Sequence, residues 1–229
     1  MLLNYELEKE LKTLGANFVY FVDISLLSNE QNKGYLYAII LGIVLSQDYI
    51  QKVIDTPDYV KNMVKNNQIE DDEFYQKEMK VDSLADYISG YLTSKGYKAY
   101  SQSEKNVISS GFFNEKEKST PLPHKTIAGL AGIGWIGKHN LLVTPEYGSA
   151  ICMCTVLTDA PLNTVACNPI KSMCGNCVIC KDTCSVKAIK GNTWSAGTSR
   201  DELVDVFKCT TCLECLVHCP WTQKYMNKK

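Results

Sequence analysis

The stretch that decides the architecture is Cys174-Gly-Asn-Cys177-Val-Ile-Cys180-Lys-Asp-Thr-Cys184. Its spacing returns in Cys209-Thr-Thr-Cys212-Leu-Glu-Cys215-Leu-Val-His-Cys219-Pro220. Both runs read C-x2-C-x2-C-x3-C. The sequence holds 11 cysteines in 229 residues, and none precedes Cys152. A disulfide framework staples small secreted domains. Here the thiols crowd one end of a chain whose first residues, MLLNYELEKELK, mix acids with apolar side chains and lack the basic-then-apolar design of an export signal. Metal ligation in a reducing compartment fits better, and the expected localisation is cytoplasmic.

The spacing is that of bacterial two-cluster ferredoxins. Three thiolates set three residues apart can each take one corner of a cubane along a tight loop. The fourth, on the helix that follows, points away and reaches the other cluster. The expected ligands of one [4Fe–4S] cluster are therefore Cys174, Cys177, Cys180 and Cys219. The other takes Cys209, Cys212, Cys215 and Cys184. Zinc prefers two C-x2-C pairs separated by a longer loop, and two triplets with two singles suit it poorly. Ser185 stands where many such motifs carry proline. Cys152 and Cys154 are two apart on a predicted strand and share a face; with Cys167 they fit small buried apolar residues better than ligands.

Upstream, Leu3, Leu7, Leu11 and Leu14 recur at helical spacing over residues 2–14, with Gly15 as the stop. Asn17–Asp23 reads as a strand. Tyr35–Leu45 is the longest apolar run at 11 residues. A membrane span needs about 20, so this run predicts a strand buried on both faces and no membrane partner. Residues 47–95 are mostly helical in pattern, ending at Gly96. Tyr97–Ser101 suits a strand, 102–120 an irregular loop, and His124–Ala131 a short helix. Leu141–Thr144 and Ala150–Thr158 read as strands joined by a Pro-Glu-Tyr-Gly turn. Composition shifts after Pro161, which places a boundary near 163–170 and divides the chain into domains 1–165 and 166–229.

Apolar residues make up 45% and charged residues 21%, as in a globular chain. Net charge is −1 and the lone arginine is Arg200. Arginine supplies most bidentate phosphate contacts, so a tRNA substrate is compatible with this composition but not called for by it.

Gly132-Ile133-Gly134-Trp135-Ile136-Gly137 matches G-x-G-x-x-G. The dinucleotide fingerprint needs a strand before and a helix after. Here helix precedes and strand follows. The glycines are instead expected to let backbone approach a flat cofactor, with Trp135 packed against it and Lys138, His139 and Asn140 as polar contacts. The candidate cofactor-binding residues are thus Gly132, Ile133, Gly134, Trp135, Gly137, Lys138 and Asn140.

The stretch PLPHKTIAGLAGIGWIGKHNLLVTPEYGSA, then TVLTDAPL, then the cysteine motifs ending in CPWTQKY, resembles the epoxyqueuosine reductase family and its kin, the corrinoid-dependent reductive dehalogenases. The resemblance is dense from about Pro121 to Tyr225; upstream it is architectural. It implies an α/β (α+β) chain: a nitroreductase-like N-terminal domain binding cobalamin, followed by a two-[4Fe–4S] ferredoxin-like domain. Electrons would pass through the clusters to cobalt. Two departures stand out. Setting Pro121 on the family's proline puts Lys118 and Ser119 where its proton-donating aspartate and the next threonine belong. The sequence also ends ten residues after Cys219, which marks it as resembling a short branch without the family's C-terminal tRNA-holding region. No D-x-H-x-x-G motif occurs, and the three histidines are His124, His139 and His218. The resemblance implies base-off cobalamin without a protein lower ligand, which makes cobalt easier to reduce.

His124, just before the glycine motif, can donate a proton near neutral pH; the plain alternative is a surface pair with Lys125 at a helix start. Tyr147 in its turn is the other candidate catalytic donor. His218 is expected beside a cluster, and Trp221 as its shield from water. The leading expectation is an oxidoreductase fed by an external donor such as ferredoxin or flavodoxin and acting on a small-molecule substrate. One rival is an electron-transfer protein that activates a separate corrinoid protein. Another is an FMN oxidoreductase, because the nitroreductase-like fold also houses flavin.

Overall fold

The computed structural model describes residues 2–164, 170–195 and 197–228; Cys167 lies outside them. The elements run α1 (Leu2–Thr13), β1 (Phe18–Asp23), α2 (Asn29–Asn32), β2 (Tyr37–Val44), α3 (Gln47–Asp55), α4 (Tyr59–Lys65), a 3₁₀ turn (Ile69–Asp71) and α5 (Glu73–Ser94). They continue with β3 (Ala99–Ser101), α6 (Glu104–Ser109), α7 (His124–Leu130), β4 (Trp135–Ile136), β5 (Leu142–Val143) and β6 (Ile151–Thr158). Last come α8 (Ile179–Thr183), α9 (Arg200–Leu203), α10 (Glu214–Val217) and α11 (Pro220–Met226).

The described residues fall into two packing units. One gathers 2–43, 77–131 and 152–164; the other gathers 44–76, 132–151, 170–195 and 197–228. The chain passes between the units several times along its length.

In the first unit the strands lie in the order β1-β2-β6-β3. β1 and β2 are antiparallel, with Phe18 opposite Gly42 and Asp23 opposite Tyr37. The Phe18 ring lies over Gly42, where a Cβ would collide with it. β2 is buried from Ala38 onward, as the uninterrupted apolar run predicts. β3 pairs antiparallel with β6, with Ala99 opposite Thr158. Leu7 and Leu11 bury the inner face of α1. Val81, Leu84, Ala85, Ile88 and Leu92 do the same for α5. The Tyr87 hydroxyl, on the outer face, donates to Glu10 at 2.9 Å. Residues 102–120, expected to be irregular, contain α6. Its supports are remote in sequence: Asp82 accepts from the Glu104 N–H at 2.8 Å, and Asp86 accepts from Ser103 Oγ at 2.7 Å. A helix capped by another element leaves little local pattern.

In the second unit, α3 packs against α10 and α11. The Gln47 side chain donates to the Tyr225 carbonyl at 2.9 Å, and the Tyr225 hydroxyl donates to the Leu45 carbonyl at 2.9 Å. Ser46 caps α3 by accepting from the Tyr49 N–H at 3.1 Å, while its own hydroxyl donates to Glu73 at 2.6 Å. β4 and β5 form a two-residue hairpin, Trp135 opposite Val143. This places strand inside the glycine motif itself, too short for any periodicity to announce.

Candidate metal centres

The second unit contains two cavities lined by cysteine. The first, about 200 Å³, is bounded by Cys174, Cys177, Cys180 and Cys219 together with Lys138, His139, Met173, Pro220 and Trp221. The second, about 180 Å³, is bounded by Cys184, Cys209, Cys212 and Cys215 among other residues. The fourth cysteine of each motif therefore lines the cavity of the other motif's triplet.

Local backbone turns explain how the thiols face inward. The Cys177 N–H closes a turn onto the Cys174 carbonyl at 3.0 Å, with Gly175 at φ +50°. In the second motif Thr211 and Leu213 sit at φ +52° and +66°. A β-branched residue in this left-handed region is strained, so the loop gives up local comfort to turn its cysteines. Cys219 is the N-cap residue of α11, with Pro220 in the first turn. Cys184 Sγ accepts the Ala188 N–H at 3.3 Å.

The thiols oppose one another electrostatically. Burial, then Cys174, Cys219 and Cys177, pushes the Cys180 thiol up to about 11. Burial first, then Cys212 and Cys209, pushes Cys215 up as well. Four thiolates in one dry pocket need a cationic core to neutralise them, and a coordinating metal deprotonates its thiols outright. They surround a volume rather than converge on a point. Among the described residues no group of three or more His, Cys, Asp or Glu is placed to hold one metal ion. A donor set of eight thiols around two such volumes fits two polynuclear clusters.

His139, 5% exposed, borders both cavities. Its Nδ1 accepts the Leu141 N–H at 3.1 Å, which puts the proton on Nε2, 3.3 Å from Ser149 Oγ. Lys138 is buried and borders the first cavity. Asn140 sits at φ +64°. Gly132 and Ile133 are half-buried. Gly134 and Gly137 allow close approach, but within the chain. A Cβ on Gly134 would strike the Val143 carbonyl, and one on Gly137 would lie 2.6 Å from the His139 ring. Within the chain Trp135, expected against a flat cofactor, packs with Val143, Cys219, Ile170, Cys174 and Trp221. Trp221 does border the first cavity. His218 turns back to Glu214 on its own helix, Nδ1 3.1 Å from the Glu214 carbonyl.

The two proposed proton donors lie in different units. In the first unit, the Thr155 hydroxyl donates to Gln102 Oε1 at 2.7 Å, so its oxygen accepts from His124 Nδ1 at 2.8 Å. That fixes the tautomer with the lone pair on Nε2. Burial lowers the His124 pKa to about 4. At neutral pH the ring is therefore neutral, with Nδ1 donating to Thr155 and Nε2 left as an acceptor. In the second unit, Tyr147 meets Tyr225 edge to face at 5.7 Å.

A group the sequence reading missed lies on α5. Glu78, Asp82 and Asp86 recur every four residues, and Cys152 and Cys154 are fully buried on β6. Glu78 bonds Cys152 and Asp82 bonds Cys154. Desolvation against β6 raises the Glu78 carboxyl to about 7, although the residue as a whole is exposed, and burial raises the Cys154 thiol well above its usual range. The i, i+4, i+8 acids on one helix face were the available signal.

The fold is similar to those of solved epoxyqueuosine reductases and a reductive dehalogenase. An epoxyqueuosine reductase from Streptococcus thermophilus matches 97% of this chain and 67% of its own, with TM-score 0.57 and 16% identity. A reductive dehalogenase whose structure suggests a mechanism for B12-dependent dehalogenation matches 93% of this chain and 31% of its own, with TM-score 0.58 and 17% identity. A further neighbour is an epoxyqueuosine reductase with an epoxyqueuosine-modified tRNA-Tyr stem loop, TM-score 0.55 and 18% identity, matching 97% of this chain and 66% of its own.

In sequence the similarity is to curated proteins named epoxyqueuosine reductase. The protein from Synechococcus sp. (strain CC9605) is 47% identical over 72 residues, 31% of this chain. That from Aliivibrio fischeri is 26% identical over 161 residues, 60% of this chain. The chain spans less than half the length of these relatives, 22% and 43% respectively. No family model matches. Among the described residues no helix is long and apolar enough to cross a membrane.

Proposed function

We propose that this chain is an iron–sulfur, cobalamin-dependent reductase resembling epoxyqueuosine reductase. In this reading residues 1–165 make a nitroreductase-like corrinoid-binding domain and 166–229 a two-[4Fe–4S] ferredoxin-like domain. The observation that carries it is the partition of eight cysteines into two cavities, each completed by the other motif's fourth cysteine. Cys174, Cys177, Cys180 and Cys219 would hold one cluster; Cys209, Cys212, Cys215 and Cys184 the other. When bound, the clusters supply one-electron relay and a base-off corrinoid supplies a strongly reducing metal. The chain's own part is to exclude water around the thiolates with Trp221, Leu213 and Leu216. The buried Lys138 sets a positive charge beside four negative ligands, and His139 is held in one tautomer between the cavities. The corrinoid half of the reading rests on the relatives and fold neighbours, because Gly134 and Gly137 serve the hairpin. The electron donor would be a ferredoxin or flavodoxin, and the substrate a small molecule or a tRNA-borne base.

Anaerobic purification tests this. About eight irons per chain are expected, together with stoichiometric uptake of cobalamin. Stoichiometric zinc would overturn the cluster assignment, and a bound yellow flavin without cobalamin uptake would overturn the corrinoid. A second reading, electron transfer to a separate corrinoid protein without substrate chemistry, is favoured by Lys118 in place of the family's acid and by the neutral, proton-accepting His124. Turnover of substrate without a partner protein would exclude it.

A further inference from the structure

Trp135 is the largest fully buried side chain among the described residues. Its Nε1–H is also the one buried side-chain nitrogen or oxygen among them without a hydrogen-bond partner. Indole N–H is a donor only, and buried donors are paired in folded proteins as a rule. The surroundings narrow the choice of acceptor. The ring packs against Val143, Ile170, Cys174, Cys219 and Trp221. Two of these are cysteines bordering the first cavity. Trp221 meets it edge to face, 4.9 Å between ring centroids. The ring is held firmly, because Trp135 is paired to Val143 in the hairpin and Gly134 lies directly on the Val143 carbonyl.

We propose that the Trp135 indole N–H donates a hydrogen bond to a sulfur of the cluster held by Cys174, Cys177, Cys180 and Cys219, and thereby raises that cluster's reduction potential. This rests on the iron–sulfur reading above. Reduction adds negative charge that spreads onto the sulfurs. An N–H aimed at one of them stabilises the reduced state more than the oxidised state. An aromatic side chain is enough to exclude water here; the nitrogen adds the tuning.

Trp135→Phe keeps the aromatic body and removes the donor. Redox titration followed by electron paramagnetic resonance should show the first cluster shifted to more negative potential, with the second unchanged and iron content retained. Pulsed hyperfine spectroscopy on protein carrying isotope-labelled indole nitrogen should show that nitrogen coupled to the reduced first cluster. The coupling should persist in Trp221→Phe and vanish in Trp135→Phe. If Trp135→Phe fails to assemble, labelled protein in which Trp194 and Trp221 are both changed to phenylalanine decides alone, and no coupling there overturns the proposal. Unchanged potential in an iron-replete Trp135→Phe overturns it as well. Wild-type protein with zinc in place of iron would bring down the cluster reading itself, which the iron analysis reveals before any potential is measured.

Discussion

In the sheet-bearing unit, β2 buries Ile39, Ile40 and Leu41 completely, with Leu7, Leu11, Ile88 and Leu92 equally buried from the helices. In the cysteine-bearing unit the helices α8, α10 and α11 have five, four and seven residues. Residues there sit in left-handed conformations, and burial, then neighbouring thiols, raises the pKa of Cys180 and Cys215. The first unit satisfies its polar backbone within a ladder and gains from apolar area removed from water. The second brings together thiols that burial and their neighbours hold protonated. The contrast teaches that one unit is held by an apolar core, while the other bends its backbone to gather thiols.

The largest test of that contrast is Cys180→Ser. Iron should fall from about eight to about four per chain, and hydrogen-exchange protection should drop in α8 and α10 while β1, β2 and β6 stay protected. Cys184→Ser should instead extinguish the cluster of the second motif, read by paramagnetic resonance. Loss of the first motif's signal would refute the crossed partition. Next in size is Leu41→Ala, which should destabilise the sheet-bearing unit by about 3 kcal/mol in urea titration without altering iron content. Gly148→Ala reverses the pattern. Gly148 has φ +58°, and a Cβ there meets the Thr222 backbone. It should cost about 2 kcal/mol and loosen the start of α11, lowering iron retention.

The smallest effect is a pair of opposed pH dependences in the sheet-bearing unit. Glu78 has its folded pKa raised from 4.5 to about 7. Its contribution is fully present below about 4.5 and is lost as pH rises through about 7. His124 has its folded pKa lowered from 6.5 to about 4. Its contribution is full above about 6.5 and is lost as pH falls through about 4. Between pH 4.5 and 6.5 the two slopes oppose each other. Glu78→Gln should expose a stability that climbs with pH in that window, and His124→Gln one that declines. Parallel profiles in both variants would contradict the assigned environments.

What was legible in the sequence follows the reach of each force. The two cysteine triplets could be read because covalent spacing alone decides which thiols share a loop. β2 was legible because a strand covered on both faces leaves an unbroken apolar run, and α1 because its leucines keep helical phase. By contrast, the attachment of α3 beside α10 and α11 depends on Gln47 and Tyr225, which are far apart in the chain and carry no shared local pattern. α6 depends on Asp82 and Asp86 of another helix. In the glycine motif, Gly134 closes on the Val143 carbonyl and Gly137 on the His139 ring, neighbours that the motif does not name. Sequence records the need for a missing side chain, not the identity of the neighbour. Nothing short of coordinates could reveal the unpaired Trp135 nitrogen.

The exchange of Cys184 and Cys219 between the motifs has a consequence for how the protein is made. If both cavities take clusters as proposed, neither is complete within its own segment. A newly made chain should then load neither before both motifs have folded together.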